Sequence, residues 1–372
     1  MNQSAYRLIY ETLLNEINSG KYSNGERLPS EAELCGVYKV SRITSKRALD
    51  LLAEQGYIKR FPGKGSYANG SVAEPEDKKI AAVKTIGLVI PDFTDSHGVK
   101  LIYGIEDACT SLGYQLVIKR TRNQAKEEEE AIRSLSYAAG ILLLPIHGIF
   151  YSSEILKLIL DNRALVFVDR KLRGLTAPTV SSDNIKAAEE GTEHLLKLGH
   201  KNIAFFSGPI KYTSTVEDRY QGFIQGLGRH GINHEASYSC QDFSSVWTWP
   251  FFSPDRVAMD FEIAVKHLKK HKGITAAFAI EYSMALIVKA AAESIGLHVP
   301  EDLSIITFDS PRVISGTPPI THLLQDECNI GKNAVHTLHK IITNNEALPP
   351  SDIMLPAQLV LGASTCQKRG KK

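Results

Sequence analysis

Cysteine is scarce in this chain, tryptophan scarcer, and neither charge sign dominates. The five cysteines (Cys35, Cys109, Cys240, Cys328, Cys366) are scattered, odd in number and never spaced Cys-x-x-Cys. That spacing excludes a disulfide framework and a thiolate zinc site, and it suits a reducing, cytoplasmic setting. No apolar run approaches the roughly 18 residues that span a bilayer. Glu11 and Glu16 interrupt the apolar pattern of the N-terminal segment, so neither a membrane anchor nor a signal peptide is expected. Nucleophile elbow, Walker loop, His-Glu-x-x-His and kinase motifs are all missing. His267 and His271 have a metal-compatible spacing, but Lys266, Lys269, Lys270 and Lys272 beside them repel a cation. The expectation is a protein that is no enzyme and holds no metal or cofactor.

The small charge imbalance excludes less than it suggests. Over the 372 residues, 43 Lys+Arg oppose 41 Asp+Glu, a net of +2. Residues 1–70 hold ten basic and seven acidic side chains, and residues 71–372 hold 33 and 34. Within 39–64, Lys39, Arg42, Lys46, Arg47, Lys59, Arg60 and Lys64 face only Asp50 and Glu54. The positive charge is local, and it sits on a recognisable pattern. Ile9, Leu13, Leu14 and Ile17 fall at helical spacing, closed by Gly20. Pro29-Ser30-Glu31 opens a second helix through Tyr38. Ser41 is an N-cap for a third that runs to Glu54, with Ala48, Leu51 and Leu52 on one face. Tyr57-Ile-Lys-Arg, a Pro62-Gly-Lys-Gly turn and Ser66-Tyr-Ala read as a hairpin. Three helices and a hairpin describe a winged helix-turn-helix over residues 1–68.

Residues 69–84 are polar and charged with Pro75, a linker by composition. From Thr85 onward short apolar strands alternate with amphipathic helices. Strands are expected at Ile86–Ile90, Gln115–Ile118, Gly140–Leu144, Leu165–Val168, Ile203–Phe206, Ala276–Ala279 and Leu303–Thr307. This alternation predicts an α/β domain with parallel sheets in two lobes. Ligands of such sheets bind beyond the strands' carboxyl ends.

Residues 25–68 resemble the GntR-type winged helix, through Leu28-Pro29-Ser30-Glu31, Leu34, Tyr38, Val40-Ser41-Arg42, Thr44, Ala48-Leu49, Leu52, Gly56-Tyr57-Ile58 and the glycines Gly63 and Gly65. The resemblance implies binding to double-stranded operator DNA. Ser41, Arg42 and Thr44 would lie in the first turn of the reading helix, with Lys46 and Arg47 following. Arg42 is the candidate for bidentate contact with a guanine edge. Ser41, Thr44 and Lys46 suit phosphates. Gly63 and Gly65 let the wing approach the minor groove with Lys64 at its tip. The family often has Arg where Ala32 and Lys46 stand here, which points to an altered operator preference.

From Lys84 to about Cys366 the chain resembles the LacI/GalR repressor core and periplasmic sugar receptors. The landmarks include Thr85-Ile-Gly-Leu-Val-Ile-Pro, Val168-Asp169-Arg170, Ser182-Asp183-Asn184, Arg219-Tyr-Gln-Gly222-Phe223, Phe308-Asp309 and Gln325. The combination is similar to arabinose-repressor-type regulators. It implies a two-lobed periplasmic-binding-protein-like domain over 85–366. Lobe one would take about 85–181 and 327–347, and lobe two about 182–326 and 348–366. It also implies a homodimer and a small sugar effector, a monosaccharide, that releases a repressor of carbohydrate-utilisation genes. A sugar-responsive activator, or an enzyme acting on a small polar metabolite, is the alternative. Carried over residue by residue, the effector contacts would be Asp92, Phe93, Asp169, Arg170, Asp183, Arg219, Glu281, Asp309 and Gln325. Glu281 and Tyr282 replace the family's usual Asn-Asp, and Asp92-Phe93-Thr94-Asp95 departs from its usual loop. Both changes favour an uncharged or basic ligand over a phosphorylated one. The aromatic segment 244–252 holds Trp247 and Trp249; an indole, Trp247, would stack on the sugar or else pin the loop to its lobe.

Overall fold

The structure, a computed structural model, describes residues 5–61, 63–69, 84–92, 97–148, 151–211, 213–311, 316, 319–344 and 351–368. Phe93 and nearly all of the expected linker lie outside these residues. The chain divides between Ala82 and Val83 into two compact units.

In the first unit, α1 (Ala5–Asn18), α2 (Glu31–Tyr38) and α3 (Arg42–Glu54) precede a hairpin of β1 (Ile58–Phe61) and β2 (Gly65–Ala68). Helix α2 starts where Ser30 and Glu33 exchange hydrogen bonds in a capping box, Glu33 N donating to Ser30 Oγ at 3.3 Å and Ser30 N to Glu33 Oε2 at 2.6 Å. It stops at Lys39, whose φ of 50° is left-handed. Ser41 then caps α3. One apolar face of each helix meets in a small core of Ile9, Leu13, Ile17, Leu34, Leu49 and Leu52, closed below by Ile58. Arg60 of β1 pairs with both Glu31 of α2 and Asp50 of α3. One guanidinium therefore ties the hairpin to both helices.

The second unit is α/β in two lobes. The first lobe runs β3 (Thr85–Ile90), α4 (Val99–Ser111), β4 (Gln115–Arg120), α5 (Ala125–Ser134), β5 (Gly140–Leu143), α6 (Ser153–Leu160), β6 (Leu165–Val168) and β7 (Thr179–Ser182). The second runs α7 (Asn184–Lys197), β8 (Ile203–Phe206), α8 (Ser214–Arg229), β9 (Ser239–Cys240), α9 (Pro254–Lys270), β10 (Ala276–Ala279), α10 (Tyr282–Ser294), β11 (Ser304–Phe308) and β12 (Thr321–Leu324). The chain then returns to the first lobe as α11 (Glu327–Asn344) and β13 (Ile353–Leu355), and ends in the second with β14 (Gln358–Val360). The sheet orders are β13-β7-β6-β5-β3-β4 and β14-β12-β11-β10-β8-β9. All of these pairings are parallel except β12 with β14. Strands β5, β6, β8 and β10 are buried along their whole length, as strands covered by helices on both faces must be.

One boundary needs correction. The expected division gave 348–366 to the second lobe, but Ile353–Leu355 pairs parallel with Val180–Ser182 in the first-lobe sheet. The last crossing thus falls between Leu355 and Gln358. Helices α4 and α11 pack at backbone distance: a Cβ on Gly104 would lie 2.0 Å from the Cys328 carbonyl oxygen, and one on Gly331 would lie 2.5 Å from that of Leu101.

Candidate functional site

On the first unit, Ser41 Oγ accepts from Thr44 N at 3.3 Å and sits 2.8 Å from Thr44 Oγ1. This orders the first turn of α3. Arg42, Lys46 and Arg47 are exposed on the same helix, whose opposite face (Ser45, Ala48, Leu49, Leu52) is buried. Their charges are therefore free for a partner rather than spent on the core. Ile43 projects beside Arg42 and is 81% exposed. An apolar side chain left in water within a basic turn is a signal that charge counting misses. At the wing, Gly63 and Gly65 have φ of 71° and 114°, the left-handed region that favours glycine, with exposed Lys64 between them.

In the second unit the strand ends of both lobes converge on a cavity of about 140 Å³. That is well below the roughly 300–1,000 Å³ of drug-sized pockets, and suits a small ligand. Asp92, Asp169 and Arg170 line it from the first lobe, and Arg219, Trp247, Glu281 and Asp309 from the second, with Gln325 at the crossing. Asp169 and Asp309 follow β6 and β11 at equivalent places, with left-handed φ of 66° and 55°. Such backbone is uncommon for non-glycine residues and clusters at functional sites.

Sequence reading did not find the residue at the centre. His97 Nδ1 lies 3.0 Å from Glu327 Oε1 and 3.6 Å from Asp309 Oδ2, and its Nε2 lies 3.8 Å from Asp169 Oδ1. Burial alone would lower the His97 pKa, but the carboxylates of Asp309, Glu327 and Asp169 around it outweigh it and raise it well above the ordinary imidazole value. Burial likewise opposes ionisation of Asp309, yet the proximity and charge of His97, with the Arg219 charge and the Gln325 hydrogen bond, hold its carboxyl below the usual range. His97, Asp309 and Glu327 are also the group among the described residues whose ligand atoms, all within 4.8 Å of one another, could hold a metal ion. The Asp169, Asp309 and Glu327 carboxylates face His97, Arg170 and Arg219, and Asp92 and Glu281 line the same cavity.

Arg219 is fixed on three sides. Nε donates to Asn184 Oδ1 at 2.8 Å, Nη1 donates to Ile280 O at 2.7 Å, and the guanidinium lies 3.7 Å over the Phe308 ring. Gln325 is committed as well: its Nε2 donates to Asp309 Oδ2 at 2.6 Å, and its Oε1 accepts from Ser182 Oγ at 2.7 Å. It orients Asp309 and leaves little for a ligand. Asp183, expected at the site, does not line this cavity; it caps α7 by accepting from Lys186 N at 3.1 Å. Burial pushes the Glu281 carboxyl up to about 7, against the hydrogen bonds it accepts from Met284 N and Ser283 N. The buried Asp169 Oδ1 and Arg170 Nε have no hydrogen-bond partner among the described residues. Each is nonetheless in ion-pair range of a neighbour, Arg170 Nε 3.6 Å from Asp169 Oδ2 and Asp169 Oδ1 3.8 Å from His97 Nε2, and a ligand hydroxyl could still bond to both. Val246, Trp247, Phe251 and Phe252 form an apolar wall. Trp249 is not part of it.

Residues 5–67 match the gntR family of bacterial regulatory proteins, and residues 192–365 match the periplasmic binding protein-like domain. The HTH-type transcriptional repressor CytR of Escherichia coli (strain K12) is 30% identical over 308 residues, covering 80% of each chain. The chain belongs to the LacI-type transcriptional regulators, here with a gntR-family reader at its head. The arabinose metabolism transcriptional repressor of Geobacillus stearothermophilus is 25% identical over 372 residues, 97% of each chain. The crystal structure of the transcription regulator CcpA of Lactococcus lactis shares the fold, with a TM-score of 0.65 and 22% identity over 76% of this chain and 99% of that one. This regulator thus carries a DNA-binding unit and a binding-protein-like unit in one chain. No helix among the described residues is long and apolar enough to cross a membrane.

Proposed function

We propose that this regulator is a cytoplasmic repressor of carbohydrate-utilisation genes, acting as a homodimer on operator DNA and released by a monosaccharide. The observation that carries the effector class is the cavity between the lobes. It pairs carboxylates and guanidiniums from opposite lobes with an aromatic wall, the chemistry that holds a ring of hydroxyls with apolar C–H faces. Asp169, Arg170, Arg219, Glu281 and Asp309 would contact the sugar, and Trp247 would cover one face. Asp92 would close the rim. The cavity calls for no cofactor besides the effector.

On the reader, Arg42 takes the guanine contact and Ile43 a thymine methyl, while Ser41, Thr44, Lys46, Arg47 and the Gly63-Lys64-Gly65 wing hold the backbone. A dimer presents two such helices to a pseudo-palindromic operator. Sugar binding favours one lobe arrangement and thereby changes the joint affinity of the readers. A coupling of about 1–3 kcal/mol would shift operator affinity roughly five- to 150-fold. The test is a thermal-shift screen of free monosaccharides, followed by operator gel-shift with each hit. A sugar that raises the melting temperature and releases operator DNA supports the reading. A flat response to all sugars, with stabilisation by a nucleoside or amino-acid derivative, overturns the effector class.

A further inference from the structure

The two lobes are joined across the cleft mouth by contacts that need no effector. Asn123, in the turn between β4 and α5, has a left-handed φ of 54°, a conformation asparagine tolerates. Its amide faces both ways. Oδ1 accepts from His147 N at 2.8 Å within the first lobe, and Nδ2 donates to the Trp247 carbonyl of the second at 2.9 Å. The His147 ring lies against the Trp247 indole, with centroids 4.2 Å apart and planes 29° from parallel, and its Nδ1 is 2.9 Å from Thr213 Oγ1 of the second lobe. Trp247 is itself anchored to its own lobe. Fully buried Asp260 accepts from Ser244 N at 2.9 Å and Ser245 N at 2.8 Å, just before the indole. Movement of Trp247 therefore carries the lobe with it. Burial and the neighbouring Arg170 charge hold His147 well below the ordinary imidazole pKa, so its ring stays neutral on the indole at pH 7. Neither Asn123 nor Thr213 lines the cavity.

We propose that Asn123, His147 and Thr213 form a latch on Trp247 that holds the lobes closed, so that Asn123 and Thr213 are positioning residues for effector capture rather than effector contacts, while His147 also lines the cavity. The latch sets the fraction of molecules already in the binding-competent arrangement, and effector affinity scales with that fraction. This rests on reading the cavity as the effector cleft, but its test uses no effector. A flat sugar screen would refute that reading and leave the latch standing.

The reporter is the Lys171 amide, which donates to Ser214 Oγ across the cleft at 3.0 Å. Its hydrogen exchange measures lobe opening even when the open form is rare. In the full chain, Asn123→Asp keeps a side chain that tolerates this backbone and keeps the acceptor for His147 N. It replaces the donor to Trp247 with a carboxylate oxygen that repels the Trp247 carbonyl. Exchange at Lys171 should accelerate about fivefold, the factor carried by one neutral hydrogen bond, and further in His147→Ala, while amides of β5 and β6 are unchanged. Unchanged exchange at Lys171 in both variants overturns the latch. So does equal acceleration at Lys171 and in the sheet, which would give Asn123 a merely structural role.

Discussion

Glu128 offers the sharpest test of the cleft's electrostatics. It lies on α5 and is 2% exposed, and its Oε1 accepts from Ile146 N at 3.0 Å, next to the His147 that stacks on Trp247. Burial pushes its carboxyl from 4.5 up to about 7, against that hydrogen bond and with help from neighbouring Glu129. Because the pKa is raised in the folded state, the folded protein holds this proton more tightly than the unfolded chain does. The contribution is fully present below pH 4.5 and is lost as pH rises through about 7. At about 1.4 kcal/mol per pH unit the loss is about 3 kcal/mol. For a domain of this size that is roughly 6–12 °C of melting temperature.

The perturbation is Glu128→Gln, which keeps an oxygen to accept from Ile146 N and cannot ionise. Calorimetric melting of both proteins should coincide below pH 4.5, and the variant should become the more stable one above pH 7. Other titrating groups, Glu281 among them, are common to both proteins and drop out of the difference. Two parallel pH profiles would refute the reasoning, because they would mean the carboxylate keeps its solvation in the folded protein.

Three further outcomes follow from the geometry. Arg42→Ala should weaken operator binding about five- to 150-fold in a gel-shift titration, the discrimination of one bidentate base contact, while effector-induced stabilisation is unchanged. Asp309→Asn removes the carboxylate that His97, Gln325 and Arg219 surround; calorimetry with the effector should show affinity falling about 10- to 150-fold, the worth of a charged hydrogen bond, with operator binding retained. Gly104→Ala places a Cβ 2.0 Å from the Cys328 carbonyl oxygen, and denaturant titration should show a loss of about 1–3 kcal/mol from overpacking α4 against α11.

What could be read from residues alone follows a physical division. Strands such as Ile86–Ile90 and Ile203–Phe206 are continuous apolar runs because helices cover both faces. Their signal is local, and so they were legible. Strand β7 (Thr179–Ser182) is half polar, and β13 carries Met354 at 61% exposure. Neither has a hydrophobic pattern, and only pairing with a neighbour makes them strands. That is why the last crossing was misplaced. Within the site, Asp169, Arg219 and Asp309 were legible because each follows a strand or opens a helix in a recognisable order. His97 and Glu327 were not, because only the packing of α4 on α11 brings them together. Asp183 misled for the opposite reason: its place beside a crossing looked like a ligand position, while its chemistry is that of a helix cap.

The near-neutral cavity bears on how an effector could act at all. The carboxylates of Asp169, Asp309 and Glu327 and the cations of His97, Arg170 and Arg219 come from both lobes, and the His97–Asp309 contact at 3.6 Å spans them. Opening the cleft separates these opposite charges and exposes them to water, which returns the hydration each lost on burial. The two terms largely offset, so the lobes can close or open at small net cost. An uncharged, hydroxylated ligand would add hydrogen bonds to Asp169 Oδ1 and Arg170 Nε, which make ion pairs but no hydrogen bond among the described residues. Under the proposed reading these bonds would form without disturbing the charge balance and would favour the arrangement in which both lobes reach the ligand. A phosphorylated ligand would bring two more negative charges to a cavity whose Arg219 donors at Nε and Nη1 are already spent on Asn184 and Ile280. Under the proposed sugar reading, the same balance favours a neutral sugar over its phosphate ester.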